Sequence, residues 1–377
     1  MPKFNSIKDV TLLRGKRVLL RLDLNVPLDG GKVRDAYRIH QAIPTLEFLR
    51  AAGARTVIVS HIGKGKPGDT LAPVAEYINE KFPITFLGSL MNVENERLTK
   101  EMEDGDTLMI ENLRHNPGEE SNDPEFAAYL ARLGDLYVND AFSVSHRAHA
   151  SVVGVPALLP HFAGPLLIEE VERLAVAFTP SRPFLFILGG AKISTKMPLL
   201  KKFLGVADHV FLGGTIVNNF LKVAGNEIGK SVHDAAELDG LEGLLNNERL
   251  ILPMDVVVKG ESGSRECGIG DVRIDEAIVD IGSLTIQQLE HVVGEAKLIV
   301  WNGPLGYYEE GFTEGTRELL SLVAGSRATS IVGGGDTVAL IDEIGVHDKF
   351  SFVSTGGGAM LDFLANETLP GIEALQN

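Results

Sequence analysis

Short apolar runs rich in β-branched residues recur along the chain, and stretches of helical periodicity separate them. In the first half the runs are RVLLRLDLNV (17–26), TVIVSHIG (56–63), ITFL (84–87), TLMIENLR (107–114) and LYVND (136–140). In the second half they are FLFILGG (184–190), HVFLGG (209–214), LILPMDVVV (250–258), KLIVWNG (297–303), TSIVGGG (329–335) and SFVSTGG (351–357). Strands that stay apolar along their length are buried on both faces, which predicts parallel sheets covered by helices. Helices fit the gaps. Ile39, Ala42, Ile43, Leu46 and Leu49 share one face of a helix over 39–52, and Pro198 sits in the first turn of a helix over 197–204.

The chain has 377 residues, enough for two domains. The divider is expected in LLPHFAGPLLIEEVERLAVAF, a loop feeding a helix, which gives a first domain over 1–165 and a second over 166–353. The segment GESGSRECGIGD (260–271), which holds the single cysteine Cys267, has no readable pattern and is expected as a surface excursion.

Charge adds a second layer. The net charge of −16 argues against general nucleic-acid or acidic-membrane binding. It is uneven: residues 1–165 carry 19 Lys and Arg against 21 Asp and Glu, and residues 166–377 carry 16 against 30. The first half is therefore the better place for an anionic ligand. No apolar run approaches the roughly 20 residues of a membrane span, the N-terminus lacks a secretory apolar region, and one cysteine allows no internal disulfide. A reducing, cytoplasmic setting is expected.

In open α/β sheets, ligands sit at the carboxyl ends of the strands. The first half collects positive groups there. Arg21, Asp23 and Asn25 alternate along the first strand, Arg38 follows, His61 and Lys64 close the second run, and Arg114 closes TLMIENLR. His146, Arg147 and His149 come next. Guanidinium forks match carboxylates and phosphates, so this set is expected to cradle a small, multiply charged anion. The second half ends its strands in glycine instead: LGGAKISTK, FLGGT, WNGP, VGGGDT and STGGGAM. Glycine lets backbone amides approach phosphate, and helix N-termini favour it. Lys192 and Lys196 flank one such end, and Asp336 follows another, placed to hold a hard cation.

GKGKPG (63–68) matches the dinucleotide fingerprint G-x-G-x-x-G, which supports an alternative reading as an NAD-dependent dehydrogenase with two Rossmann-like halves. Pro67 removes an amide that should face pyrophosphate, which weighs against it. There is no Walker A motif.

The motifs RLDLNVPL, SHIGKGKPG, IENLRHNPGEESNDPEFA, YVNDAFSVSHRAHAS, LGGAKISTK, EIGKS, IVWNGPLGYYE, IVGGGDT and STGGGAMLDFL, in this order, resemble phosphoglycerate kinases. The resemblance runs from about residue 17 to the LPGIEAL tail. It implies two Rossmann-like α/β domains, each a parallel sheet flanked by helices, joined by a hinge with a cleft between them, and a C-terminal segment (354–377) that returns to the first domain. It implies phosphoryl transfer from 1,3-bisphosphoglycerate to ADP, giving 3-phosphoglycerate and ATP, by a cytoplasmic monomer with Mg2+. Carried over, Asp23, Asn25, Arg38, His61, Lys64, Arg114 and Arg147 bind the phosphoglycerate, with His149 nearby. Lys192, Lys196, Gly213, Gly214, Glu309, Gly334, Gly335, Asp336 and Thr337 bind the nucleotide, Asp336 also the metal. Arg38, Lys192, Gly356 and Gly357 serve the transfer itself. Lys64 stands where Arg is usual, Ser143 and Val144 where Gly and Thr are usual, and Thr215 replaces a third Gly.

Overall fold

A computed structural model describes residues 4–191, 193–235, 238 and 240–376. The chain divides into two compact units. Unit 1 is Met1–Glu172 with Asn366–Asn377, and unit 2 is Arg173–Ala365.

Unit 1 contains strand β1 (Arg17–Leu22), a small hairpin of β2 (Leu28–Asp29) and β3 (Lys32–Val33), and strands β4 (Arg55–Val59), β5 (Thr85–Phe86), β6 (Thr107–Met109), β7 (Leu136–Asp140) and β8 (His161–Ala163). Apart from the hairpin, these form one six-stranded parallel sheet in the order β5-β6-β4-β1-β7-β8. The two-residue side-chain period sends Val18, Leu20, Leu22, Ile58, Met109 and Val138 into one core. Leu19, Val57, Val59, Leu108, Ile110 and Tyr137 enter the core on the other face. Two apolar faces are why these runs do not alternate with polar residues.

Unit 2 contains β9 (Phe184–Leu188), β10 (His209–Leu212), β11 (Leu250–Ile251), β12 (Asp255–Gly260), β13 (Gly263–Gly268), β14 (Ala277–Ile281), β15 (Leu298–Asn302), β16 (Thr329–Gly333) and β17 (Phe352–Val353). A second six-stranded parallel sheet runs β11-β10-β9-β15-β16-β17. Its central β9 is wholly buried, and Phe186 stacks on Phe203 of the Ile193–Val206 helix at 4.2 Å between ring centroids. The parallel strands run in one direction, so each sheet has a single rim of carboxyl ends.

Several local expectations change. The run 250–258 is two strands, because Pro253 has no N–H to continue a ladder. Its second part, β12, pairs antiparallel with β13 and β14. The unreadable segment around Cys267 is thus largely strand β13, an edge strand whose partly exposed side chains leave no apolar pattern. The helix expected over 197–204 starts earlier, at Ile193, and carries Pro198 inside it rather than in the first turn.

The unit boundary falls inside the Pro165–Ala175 helix, beyond the expected 165/166. The chain re-enters unit 1 at residue 366 rather than 354, because the Gly357–Asn366 helix packs in unit 2. There Phe363 meets Phe178, and Lys202 donates to the Ala365 carbonyl at 3.1 Å. The last residues are held in unit 1 by Gly371, which donates to the Ser145 carbonyl at 2.8 Å, and by Leu375 in the core. Among the described residues, no helix is long and apolar enough to cross a membrane.

Candidate active site

The carboxyl rim of unit 1 gathers the basic residues. Strand β1 ends at Leu22, so Asp23 and Asn25 lie just past it. Arg38, in the first turn of the Tyr37–Ala51 helix, places Nη1 2.9 Å from Asp23 Oδ2 and 2.8 Å from the Asn25 carbonyl. Asn25 Oδ1 accepts from the Gly63 amide at 2.9 Å, tying β1 to the loop after β4. Arg114 donates to the Gly63 carbonyl and pairs with Glu120 at 3.1 Å. Arg147 follows the turn after β7, with Nε 3.3 Å from His146 Nε2. His149 Nδ1 lies 3.7 Å from the buried Glu119 carboxylate.

Electrostatics mark the cluster as crowded with positive charge. Burial, then the neighbouring Arg147, lowers the Arg114 pKa. Burial and the Arg21, Arg114 and Arg147 guanidiniums hold the His61 imidazole neutral, overriding the pull of Asp23. Burial pushes the Asp23 carboxyl up, but Arg38 foremost outweighs it, and with the Ser143 hydroxyl and the Asn25 amide holds the carboxylate below its ordinary range. An assembly of like charges of this kind is poised for an anion.

One residue of the basic set is not where spacing suggests. Arg21 does not face the rim with Asp23. It is 1% exposed and sits under the site against Ser151 and His61. Lys64 is exposed, and its amide is held by Asp69 at 2.9 Å.

The rim of unit 2 is built from backbone. A Cβ on Gly214 would lie 2.5 Å from the Gly190 nitrogen, one on Gly303 2.7 Å from the Gly189 carbonyl oxygen, and one on Gly357 2.9 Å from the Gly334 Cα. The loops after β9, β10, β15, β16 and β17 therefore touch main chain to main chain, which side chains would prevent. Gly213 donates to the Leu188 carbonyl at 3.0 Å, and Gly214 to the Leu305 carbonyl at 2.8 Å. Three helices open beside them, at Thr215, Gly335 and Gly357. Gly356 donates to Ser354 Oγ at 3.2 Å, and Asn302 donates to the Gly357 carbonyl at 3.2 Å.

Lys196 is buried and donates to the Gly189 carbonyl. Burial lowers its pKa to about 8, with Asp336 pulling the other way. Asp336 is half-buried, and burial, then the exposed Glu309, raises its carboxyl. Among the described residues, the buried Thr337 hydroxyl has no hydrogen-bond partner. Thr215 Oγ lies 3.0 Å from the Ala191 carbonyl, so the residue replacing a third glycine fastens the loop that precedes Lys192. Lys192 itself lies outside the described residues.

Beside Gly214 lies a shallow pocket walled by Val256, Val279, Leu305 and Tyr307, with Asp280 in its lining. Burial raises Asp280 to about 7, with Glu314 adding to the shift. In the sequence, Gly214 and Thr215 mark the mouth of this pocket, whereas Val256, Val279 and Asp280 are not marked, because they come from the antiparallel β12 and β14.

The chain compares along its whole length with one group of proteins. The family profile described as Phosphoglycerate kinase matches residues 7–367. The chain belongs to the phosphoglycerate kinase family. A phosphoglycerate kinase of Dictyoglomus turgidum is 44% identical over 97% of this chain and 96% of its own length, and one of Methylorubrum populi is 40% identical over 100% and 99%. The structure of phosphoglycerate kinase from Coxiella burnetii superposes with a TM-score of 0.85 at 39% identity, covering 99% of each chain. That of phosphoglycerate kinase from Pyrococcus horikoshii OT3 gives 0.87 at 30% identity over 99% and 98%.

Membership of the phosphoglycerate kinase family makes the chain a phosphotransferase with a carboxyl group as acceptor, which moves a phosphoryl group between 1,3-bisphosphoglycerate and ADP. The dehydrogenase reading falls. In the GKGKPG loop the amides of Lys64 and Lys66 both donate to Asp69 Oδ2 at 2.9 Å, so they are already used where pyrophosphate would need them.

Proposed function

We propose that unit 1 binds 3-phosphoglycerate and 1,3-bisphosphoglycerate, and that unit 2 binds ADP and ATP with Mg2+. The observation that carries this division is the contrast between the rims. One converges guanidinium and imidazole groups, and the other offers backbone amides around a buried lysine.

In unit 1, Arg38, Arg114 and Arg147 supply charge for the phosphate and carboxylate groups. His61 and the Asn25 side chain position the ligand, His149 stands beside it, and Lys64 adds charge at the margin. Asp23 keeps Arg38 in place until a ligand engages it. In unit 2, the pocket beside Gly213 and Gly214 seats the base, having apolar walls and few polar groups. Glu309 takes the ribose, and the amides of Gly334 and Gly335, the Thr337 hydroxyl and Lys196 take the phosphates. The unpartnered Thr337 hydroxyl supports a ligand there, since buried polar groups are ordinarily paired.

The residues present also fit Mg2+. Among the described residues no group of three His, Cys, Asp or Glu is gathered to hold a metal. Asp336 offers one carboxylate whose ionised form is disfavoured by burial and by Glu309. One carboxylate plus nucleotide phosphates is an ordinary arrangement for Mg2+, whose bound charge would offset that of the phosphates.

The acyl phosphate of 1,3-bisphosphoglycerate is an activated donor, so no covalent enzyme intermediate is needed. The residues align donor and acceptor and neutralise the phosphoryl oxygens. Arg38, Lys192 and the Gly357 amide fill that role, and Gly356, whose amide donates to Ser354 Oγ, shapes the turn that presents it. Direct transfer requires the two ligands to meet, so ligand-driven approach of the units belongs to the proposal, as does operation as a cytoplasmic monomer. Steady-state kinetics of single variants test the division. Arg147→Ala should raise KM for 3-phosphoglycerate and Lys196→Ala KM for ATP; the reverse pattern would reject it.

A further inference from the structure

Behind the unit 1 rim lies a buried chain of polar groups that the function above leaves unused. Glu119 is 0% exposed, yet it is ionisable and comes from the polar loop NPGEESND. Its Oε1 accepts the Ser151 hydroxyl at 2.6 Å, and its Oε2 accepts the Ser151 amide at 2.9 Å. Ser151 Oγ lies 3.0 Å from Arg21 Nε, and Arg21 Nη2 lies 3.1 Å from His61 Nδ1.

The direction of every bond in this chain is forced. Glu119 stays ionised, since the bonds from His149 and Ser151 and the charge of Arg21 outweigh the cost of burying it. Its Oε1 therefore only accepts, and the Ser151 hydroxyl must donate to it. Ser151 Oγ is then left with lone pairs for Arg21 Nε. A guanidinium has donors and no acceptor, so His61 Nδ1 must be an unprotonated acceptor. The imidazole proton is left on Nε2.

We infer that Glu119 is a positioning residue, and that the relay Glu119–Ser151–Arg21 locks His61 as a fixed neutral donor whose Nε2–H is presented to the bound phosphoglycerate. The donor role rests on the reading of the unit 1 rim as the phosphoglycerate site. The groups facing His61 agree: Arg21, Arg114 and Arg147 oppose its protonation, and Asp23 does not overcome them. A neutral donor serves a site that must release product as well as bind it, because it adds selectivity without another full charge.

The test is nitrogen-15 NMR of the full chain labelled at histidine, with His61→Gln assigning the His61 signals. His61 should show an unprotonated Nδ1 and a protonated Nε2, unchanged between about pH 6 and 8, where a free histidine titrates. Ser151→Ala and Glu119→Gln should give mixed tautomers. They should also raise KM for 3-phosphoglycerate by about tenfold, as for a lost hydrogen bond to a charged group, and leave KM for ATP within about twofold. A proton on Nδ1, or titration of His61 in the unmodified chain, overturns the inference even if a variant fails to fold. Variants that keep both the single tautomer and KM remove Glu119 from the role. If the tautomer is as expected but 3-phosphoglycerate leaves the Nε2 signal unmoved, the relay stands and the ligand placement fails.

Discussion

Gly357 lies against Gly334 so closely that a Cβ on Gly357 would sit 2.9 Å from the Gly334 Cα and 3.2 Å from its nitrogen. Both residues stand at helix starts, and Gly334 has φ +105°, open to glycine. The contact gathers two helix N-termini at one point of the rim. Gly357→Ala would push main chain from main chain, with no flexible side chain to yield. It should cost about 1–3 kcal/mol of stability, as overpacking does, and should lower kcat by tenfold or more if the amides stabilise the transferring phosphoryl group. Urea denaturation and turnover together check it; unchanged kcat would take these amides out of the mechanism.

Lys196 gives two pH effects of opposite sign. Its folded pKa is about 8, below the usual 10.5. The unfolded chain holds its proton over the window between them, so the Lys196 contribution to stability rises with pH from about 8 to about 10.5. In the proposed role the ammonium holds the nucleotide phosphates, so ATP affinity should fall as pH rises through about 8 in the free enzyme. Denaturation and ATP titration across that range measure both, and Lys196→Met should flatten each dependence.

Asp23 acts at the acid end. Arg38 foremost holds its folded pKa below the ordinary 3.8, so its contribution is present above about pH 4 and is lost as pH falls below that through the folded value. Asp23→Asn should remove most of this acid-side loss in denaturation curves. It should also free Arg38, whose Nη1 is 2.9 Å away, and so raise KM for 3-phosphoglycerate.

Lys64 is the weak member of the set proposed to bind phosphoglycerate. It is exposed and carries a point charge rather than a guanidinium fork. Lys64→Ala should change KM for 3-phosphoglycerate by less than about threefold, within the value of an exposed ion pair. A change as large as that from Arg147→Ala would show that Lys64 folds over the ligand.

Much of this arrangement is legible in the sequence. The apolar runs mark strands, most clearly the central ones such as β1, β4, β9 and β15, where burial on both faces leaves no alternation, and the glycines at the ends of the unit 2 runs mark where main chain meets main chain. What escaped depends on long-range pairing. Arg21 looks like a rim residue by its spacing from Asp23, but β1 ends between them and Arg21 remains under the sheet's edge. Nothing local marks Glu119, since its partner Ser151 is 32 positions away. Strand β13 has no apolar pattern because it is held by backbone bonds at a sheet edge.

The division of ligands between the units is tested most directly by hydrogen exchange with each ligand alone. 3-Phosphoglycerate should slow exchange in unit 1, at the loops holding Asn25, Gly63, Arg114 and His149, and leave the glycine loops of unit 2 unchanged. Mg-ADP should slow exchange around Gly214, Gly335 and Gly357 and leave those unit 1 loops unchanged. Protection of the Gly214 and Gly335 loops by 3-phosphoglycerate, or of the Arg114 loop by Mg-ADP, would contradict the assignment.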